Sequence, residues 1–159
     1  MNINKYKNIK PKLILEEYFS GKIQAWGQFE DVFGIVRKKF TCEIISDWDK
    51  KTSTLTINEN FIYDDGVKEN RVWKLIKVHN NYYEGTTDNV VGIARGVTCG
   101  NTFNWKYKFE LSLYGIKTKV DFDDYMYLQD SSVIINKAKM KKFGIKLGTV
   151  FLFFKKIIN

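Results

Sequence analysis

The sequence predicts an all-β fold, an antiparallel meander barrel of about ten strands preceded by a short helix. Aromatic residues make up 16% of the 159 residues, and such side chains suit the half-buried, pleated surface of a sheet. From Gln24 onward, apolar and polar residues alternate with the two-residue period of strands. A twisted sheet of about ten strands tends to close on itself. We therefore expect one domain over residues 1–159, with the barrel over about 22–155.

The segment before the barrel is predicted to form a helix over about 11–20. Pro11 suits a first helical turn, and Gly21 suits the position after a last turn. The apolar residues between them fall on one face of a helix: Leu15, Tyr18 and Phe19. Such a helix could cover one end of the barrel.

Two turns predict the register of the first hairpins. Asp64-Asp65-Gly66 is typical of a three-residue hairpin loop in which Gly66 has a positive φ, and Asn80-Asn81 is typical of a two-residue turn. The first turn implies the pairs Phe61–Glu69, Glu59–Arg71 and Ile57–Trp73, and the second implies Lys77–Glu84, Leu75–Thr86 and Trp73–Asp88.

Three later turns keep one continuous apolar face, as a correct register must. They are a Tyr114-Gly115 turn, a loop centred on Asp130 and a Phe143-Gly144 turn. The first implies the pairs Trp105–Asp124, Tyr107–Phe122, Phe109–Val120, Leu111–Thr118 and Leu113–Ile116. The second implies Met126–Ile134, Asp124–Asn136 and Phe122–Ala138, and the third implies Met140–Leu147, Asn136–Phe151 and Ile134–Phe153.

Three glycines recur every four residues, at Gly92, Gly96 and Gly100. Within a strand they would leave one face bare, which favours a tight bend or a close approach of two backbones. A phosphate-cradling loop is the alternative, but the spacing is not GxGxxG and no helix is predicted after it.

Polar residues interrupt the apolar face, and they are the strongest pointer to function. They are Glu59, Arg71, Asp88, Asp124 and Asn136. A buried carboxylate costs several kcal/mol unless it is paired, so we expect Glu59 to pair with Arg71 across the strands and Asp124 to pair with Asn136.

Three interpretations of this polar set remain open. It could fix the strand register, orient a ligand in an apolar pocket, or supply a carboxyl group of raised pKa for acid–base catalysis. In the ligand interpretation, Arg71 meets a carboxylate or phosphate headgroup. The candidate ligand-binding residues are then Glu59, Arg71, Trp73, Asp88, Trp105, Phe122, Asp124, Asn136 and Phe151. The candidate catalytic residues are Asp124, Asp88 and Glu59.

Charge and rare residues narrow the function classes. The formal net charge is +8, and the lysines are scattered over predicted outward positions. This scatter favours a solvated exterior and disfavours nucleic acid as a partner. An anionic membrane surface is the alternative partner. His79 is the sole histidine and lies beside a turn, so neither a zinc site nor a histidine-dependent triad is expected. Cys42 and Cys99 are expected to be free thiols, with one disulfide as the alternative, and no cofactor or metal is predicted.

Long stretches of the chain resemble an uncharacterised bacterial family, the domain of unknown function DUF3833. The similarity covers about residues 18–154 and has long, specific motifs. They are F-S-G-K-I-Q-A-W-G at 19–27, F-G-I-V-R-K-K-F at 33–40, F-I-Y-D-D-G at 61–66, R-V-W at 71–73, D-N-V-V-G-I-A-R-G at 88–96, G-N-T-F-N-W-K-Y at 100–107, F-D-D-Y-M-Y-L at 122–128 and I-N-K-A-K-M-K-K-F-G at 135–144.

The resemblance implies an association with lipid in the cell envelope. Members of the family are commonly described as envelope lipoproteins, and they tend to occur beside genes for fatty-acid modification, such as cyclopropane synthase-like enzymes. This chain departs from that pattern because it shows neither a signal peptide nor a lipobox cysteine. We therefore expect a cytoplasmic location for the chain as given, or removal of an export signal.

A looser likeness is to the lipocalins, which also have a short helix, a first strand with a tryptophan, here Trp26, and a meander. Position 24 is glutamine where their G-x-W motif has glycine, and the last strand ends at Lys155-Lys156 without an arginine. The likeness is therefore one of architecture.

The leading hypothesis is a lipocalin-like binding or carrier domain for a fatty-acyl or other apolar small molecule. The second is an enzyme that modifies a lipid or isoprenoid in the same cavity by carboxylate acid–base chemistry. The third is a structural or interaction subunit whose barrel is filled by its own side chains.

Overall fold

The chain forms a closed antiparallel barrel of ten strands, as the sequence predicts. The computed structural model describes residues 2–113 and 115–157. Each strand pairs with its neighbours in sequence, and β1 also pairs with β10. The strands are β1 (Gly21–Asp31), β2 (Val36–Asp49), β3 (Thr54–Tyr63), β4 (Lys68–His79), β5 (Tyr82–Thr86), β6 (Val90–Cys99), β7 (Thr102–Leu113), β8 (Ile116–Leu128), β9 (Val133–Lys142) and β10 (Ile145–Lys156).

The predicted helix over 11–20 is wrong in length. A 3-10 helix spans Ile3–Tyr6, and the α-helix α1 spans only Leu15–Tyr18. Leu13 and Leu15 are both fully buried. Side chains two residues apart lie on the same side of an extended chain, whereas in a helix they point in different directions. The segment before α1 is therefore held extended against the barrel, where the Leu13 amide donates to the Gly100 carbonyl over 2.8 Å.

Despite its short helix, the N-terminal segment covers one end of the barrel. The buried side chains of Leu15, Tyr18 and Phe19 belong to the main core cluster. The Tyr18 hydroxyl donates to the Ser132 carbonyl over 2.9 Å, and Glu16 pairs with Lys77 of β4. In the part of the chain that the structure describes, there is no helix with the length and hydropathy that a membrane span requires.

Two predicted hairpin registers are confirmed. Around Gly66, whose φ is +85°, Phe61 pairs with Glu69, Glu59 with Arg71 and Ile57 with Trp73. Across the β7–β8 turn all five predicted pairs form, from Trp105–Asp124 to Leu113–Ile116. Tyr114 itself lies outside the described residues.

Three predicted registers are wrong, and irregularities in the strand pairing explain two of them. Between β4 and β5 an irregularity after Lys77 shifts the pairing by one residue, so Leu75 pairs with Gly85 rather than Thr86. Between β9 and β10 a second irregularity near Leu147 makes Met140 pair with Gly148.

The β8–β9 pairing is shifted by two residues, so that Asp124 pairs with Ala138 and Asn136 with Met126. The cause is the turn: the Asp130 side chain accepts hydrogen bonds from the Ser132 and Val133 amides, which centres the turn after Asp130. An even shift keeps each side chain on its predicted face.

The three regularly spaced glycines have separate roles. Gly92 has a φ of +77° at an irregularity in the β6–β7 pairing. A Cβ on Gly96 would lie 2.6 Å from the Trp105 ring, and one on Gly100 would lie 1.8 Å from the Tyr6 carbonyl oxygen. Gly100 thus allows the N-terminal segment to approach the end of the barrel.

We predict that Gly100→Ala destabilises the fold more than Gly66→Ala does. Both glycines have positive φ, but a Cβ on Gly66 meets no atom within 4 Å. Gly66→Ala should therefore cost only the backbone term of about 1–2 kcal/mol. Gly100→Ala should cost about 2 kcal/mol more, because the Tyr6 backbone must move. Urea unfolding of both variants measures the difference, and equal costs would contradict the proposed packing.

Candidate functional site

A cavity of about 650 Å³ lies inside the barrel. Its floor is the N-terminal segment, where Leu15 and Phe19 line it. Its other end lies among the hairpin turns, where exposed residues such as Ser112 and Lys117 line it. The cavity therefore has a closed floor and a mouth at the hairpin end.

Aromatic rings form most of the cavity wall. The Trp73 ring packs edge-to-face on Trp105 and Tyr107, at centroid distances of 5.7 and 5.2 Å. Tyr107 stacks on Phe122 at 5.1 Å. Further rings that line the cavity are Phe29, Phe40, Phe61, Tyr63, Phe103, Phe109 and Phe154. The wall therefore offers a large apolar and aromatic surface.

Arg71 projects into the cavity from β4 but is already paired. Its Nη2 lies 2.7 Å from Glu69 Oε1, and the Tyr63 hydroxyl donates to Glu69 Oε2 over 2.9 Å. The guanidinium also lies over the Phe61 and Phe109 rings, 5.1 and 4.9 Å from their centroids. Burial opposes its charge, but Glu59 and Glu69 outweigh that effect and raise the pKa of Arg71.

Glu59 lies opposite Arg71 on β3, but its carboxyl group is not fully satisfied. Trp73 hydrogen-bonds to it, while Oε1 is buried and has no hydrogen-bond partner. Burial raises the pKa of Glu59 to about 7, with Glu69 adding to the rise and Arg71 and the Trp73 hydrogen bond opposing it. The group can therefore hold a proton near neutral pH.

Asp124 carries a second carboxyl group on the wall formed by β8 and β9. It is buried, and the Asn136 amide donates to its Oδ1 and also to the Tyr125 carbonyl, the latter over 2.9 Å. Burial raises the pKa of Asp124 to about 7, the Asn136 hydrogen bond opposes the rise, and the charge of Glu59 adds to it. Glu59 and Asp124 therefore influence each other through the cavity.

This arrangement can do two things chemically. Near neutral pH the two carboxyl groups can be proton donors to a polar ligand atom, or they can exchange a proton with a ligand. Among the described residues no cluster of His, Cys, Asp and Glu has the geometry to hold a metal ion. Cys42 and Cys99 are free thiols, and His79 is exposed on β4.

The structure brings most of the predicted site residues to the cavity. Seven of them line it: Glu59, Arg71, Trp73, Trp105, Phe122, Asp124 and Asn136. Asp124 and Asn136 interact as predicted, whereas Arg71 forms its ion pair with Glu69 rather than with Glu59. That these seven residues bind a ligand stays a prediction.

Asp88 and Phe151 do not belong to the inner wall, and their predicted placement is wrong. The shifted β4–β5 pairing ends at Thr86 and leaves Asp88 exposed in the following turn. The shifted β9–β10 pairing turns Phe151 outward, where Lys137 lies over its ring at 5.9 Å, and Leu152 faces the cavity instead.

Sequence reasoning missed Glu69, Tyr63 and Tyr107 as parts of the polar set. A signal existed for Glu69, because the predicted pair Phe61–Glu69 already places it on the inner face. Tyr107 also lay on the predicted inner face, but as an aromatic residue it was grouped with the apolar wall. Burial raises the pKa of its hydroxyl well above the usual value, and Asp124 adds to the effect.

Two comparisons place the chain among known proteins. The family model "Protein of unknown function (DUF3833)" matches residues 1–156. The structure resembles the S-type phycobiliprotein lyase CPES from Guillardia theta with a TM-score of 0.66, covering 92% of this chain and 94% of that one at 10% identity. That likeness shows a shared lipocalin-like barrel fold. No curated protein matches the sequence.

We predict that stability falls as the pH rises through the range in which Glu59 and Asp124 ionise. Their folded pKa values of about 7 lie above the usual 4.5 and 3.8. The folded protein then holds protons that the unfolded chain releases, so the stability that these two groups contribute is fully present below about pH 4 and is lost as the pH rises to about 8. Each group should contribute a loss on the order of 3–4 kcal/mol.

Urea unfolding at several pH values tests this expectation. Glu59→Gln and Asp124→Asn should each reduce the loss, because an amide cannot ionise. Asp121→Asn is the matched control, since Asp121 is an exposed carboxylate paired with Lys108. A pH profile that is the same in all four proteins would contradict the prediction.

Proposed function

The chain belongs to the DUF3833 family, and on this premise we propose that it is a binding or carrier protein for a fatty-acyl or similar apolar small molecule. The observation that carries the proposal is the cavity of about 650 Å³, which is mostly apolar and has a few polar groups on its β3–β4 and β8–β9 walls. Pockets for small ligands have this size and composition. A barrel filled by its own side chains would not leave such a space.

The inner polar groups favour a ligand whose head is a hydrogen-bond acceptor. Arg71 is held by Glu69 through Nη2, so part of its positive charge is already compensated. Protonated Glu59 and Asp124 can donate hydrogen bonds to a carboxyl, ester or amide oxygen. The acyl chain would then lie along the aromatic wall.

Acid–base catalysis is a second candidate, because Glu59 and Asp124 both have a pKa of about 7 inside one cavity. A general acid or base is most effective when its pKa lies near the working pH. Asp88 has no part in this candidate, since it lies outside the cavity.

We predict that Ala138→Phe weakens binding of a fluorescent fatty acid, such as parinaric acid, by at least about tenfold. Ala138 is buried and lines the cavity, where it pairs with Asp124 of the adjacent strand. A phenylalanine ring at this position would therefore occupy space that a ligand needs. Ile45→Phe is the control, since Ile45 is exposed on the outer wall. Fluorescence titration measures the affinity. Absence of saturable binding to the wild type, or equal affinity in both variants, would overturn the proposal.

The pH dependence of binding tests the role of the two carboxyl groups. The affinity for a fatty acid should fall by about tenfold from pH 6 to pH 8, because ionised Glu59 and Asp124 repel its carboxylate. The matching fatty alcohol should bind with little change. In the double variant Glu59→Gln, Asp124→Asn the fatty-acid profile should become flat. A steep pH dependence of fatty-acid affinity in that variant would show that groups other than Glu59 and Asp124 cause the change.

The same double variant separates binding from catalysis. If the protein is an enzyme, chemical conversion of a candidate acyl substrate is lost in Glu59→Gln, Asp124→Asn while binding of the substrate persists. If it is a carrier, neither the wild type nor the variant changes the ligand, as mass spectrometry of the recovered ligand would show.

A further inference from the structure

The two ends of the barrel differ in the residues that they expose. Because the strands follow the order β1-β10-β9-β8-β7, the β1–β2, β9–β10 and β7–β8 hairpins are neighbours at the mouth. Their turns carry large apolar side chains that contact little of the protein. Phe33 is 83% exposed, Phe143 88%, Ile145 69% and Ile116 68%. Such exposure is costly in water, so a group of protruding tips indicates a contact surface.

Phe143 is poorly suited to its own turn. Its φ is +52° and that of Gly144 is +76°, a combination that favours asparagine and glycine in a two-residue hairpin turn. A phenylalanine in the left-handed region costs free energy, and its exposed ring recovers little of it by packing. The Nζ atom of Lys142 lies 5.0 Å from the ring centroid. Phe143 therefore does not stabilise its own turn, which indicates another role for its exposed ring.

Basic residues surround these tips. The β7–β8 and β9–β10 hairpins carry Lys117, Lys119, Lys141, Lys142 and Lys146, and no acidic residue occurs in 111–120 or 131–150. Other acidic residues at this end, Asp64, Asp65 and Asp88, lie in the β3–β4 and β5–β6 turns, while Glu30 and Asp31 lie beside the β1–β2 turn, where Asp31 is paired with Arg37. The positive charge at this end of the barrel is thus concentrated on the β7–β8 and β9–β10 hairpins.

We propose that these three hairpins dock the barrel on an anionic lipid bilayer with the mouth of the cavity close to the membrane. We call this the tip surface, formed by Phe33, Ile116, Phe143, Ile145 and the five lysines. The tips would enter the boundary between headgroups and acyl chains, while the lysines attract anionic headgroups. Lys117 belongs both to the tip surface and to the cavity lining, so the two are continuous.

A bilayer fits this surface better than a folded protein does. The tips project from three separate hairpins around an opening, with Phe143 and Ile145 on the same one. A fluid interface can surround each tip, whereas a protein partner would need a matching pocket for every one. Lysines beside the tips complement an anionic surface.

Cosedimentation with vesicles tests the proposal. Vesicles of phosphatidylcholine and phosphatidylglycerol in equal parts should bind the wild type at least about tenfold more strongly than vesicles of phosphatidylcholine alone. Phe33→Ser with Phe143→Asn, and separately Lys142→Glu with Lys146→Glu, should each weaken binding to the anionic vesicles by at least about tenfold. Asn suits the left-handed turn position, so Phe143→Asn should leave the melting temperature unchanged or raise it.

Val67→Ser is the matched control, because Val67 is 54% exposed in the acidic β3–β4 turn at the same end. It should bind vesicles as the wild type does. Ala138→Phe should also bind vesicles normally, which separates membrane docking from ligand binding inside the cavity. Lack of binding by the wild type, or an equal loss in Val67→Ser, would overturn the proposal. Self-association that the Phe33 and Phe143 substitutions abolish, without vesicle binding, would assign the surface to a second copy of the chain instead.

Discussion

Pairing between the first and last strands determines the rest of this structure. The β1–β10 ladder runs from Ile23–Lys156 to Asp31–Gly148 and closes the sheet. Eight strands enclose a space that side chains can just fill, and ten strands enclose more. The inner faces of ten strands therefore leave a cavity even with twelve aromatic side chains among those that line it. Closure thus accounts for both the absence of open sheet edges and the space available to a ligand.

Closure of the barrel also determines how the charged groups on its inner face are stabilised. A carboxylate inside the barrel has lost water and must be paired, protonated or bonded to donors. Glu69 is paired with Arg71 and bonded to Tyr63. Glu59 and Asp124 find fewer partners, and burial moves their pKa values toward neutrality. Because few hydrogen-bond donors surround Glu59 and Asp124, these two carboxyl groups can hold protons near neutral pH.

The sequence predicted the architecture and most of the inner wall, and it failed where strands depart from regular pairing. Turns with a strong local preference, such as the one at Gly66, gave correct registers because the turn alone sets the pairing. The irregularities near Lys77 and Leu147 depend on how the strands fit the closed barrel, and no local motif encodes them. Each shifted the pairing by one residue, which is why Asp88 and Phe151 were assigned to the wrong face.

The Asp124–Asn136 contact shows the opposite case. The predicted β8–β9 register was wrong by two residues, yet both side chains stayed on the inner face and interact there. The short helix was harder to predict, because Leu13 and Leu15 are placed by contacts with the barrel end and not by helical periodicity. Long-range contacts, rather than local propensity, determine these positions.

Closure between the ends of the chain also has a consequence for biosynthesis. Residues 21–31 cannot complete their hydrogen bonding until residues 145–156 have left the ribosome, so β1 keeps an unpaired edge for most of translation. Contacts of such large sequence separation make folding slow, and exposed strand edges can pair with other chains in the meantime. Without the last strand both β1 and β9 keep an open edge, and the nascent chain depends on that strand to escape aggregation.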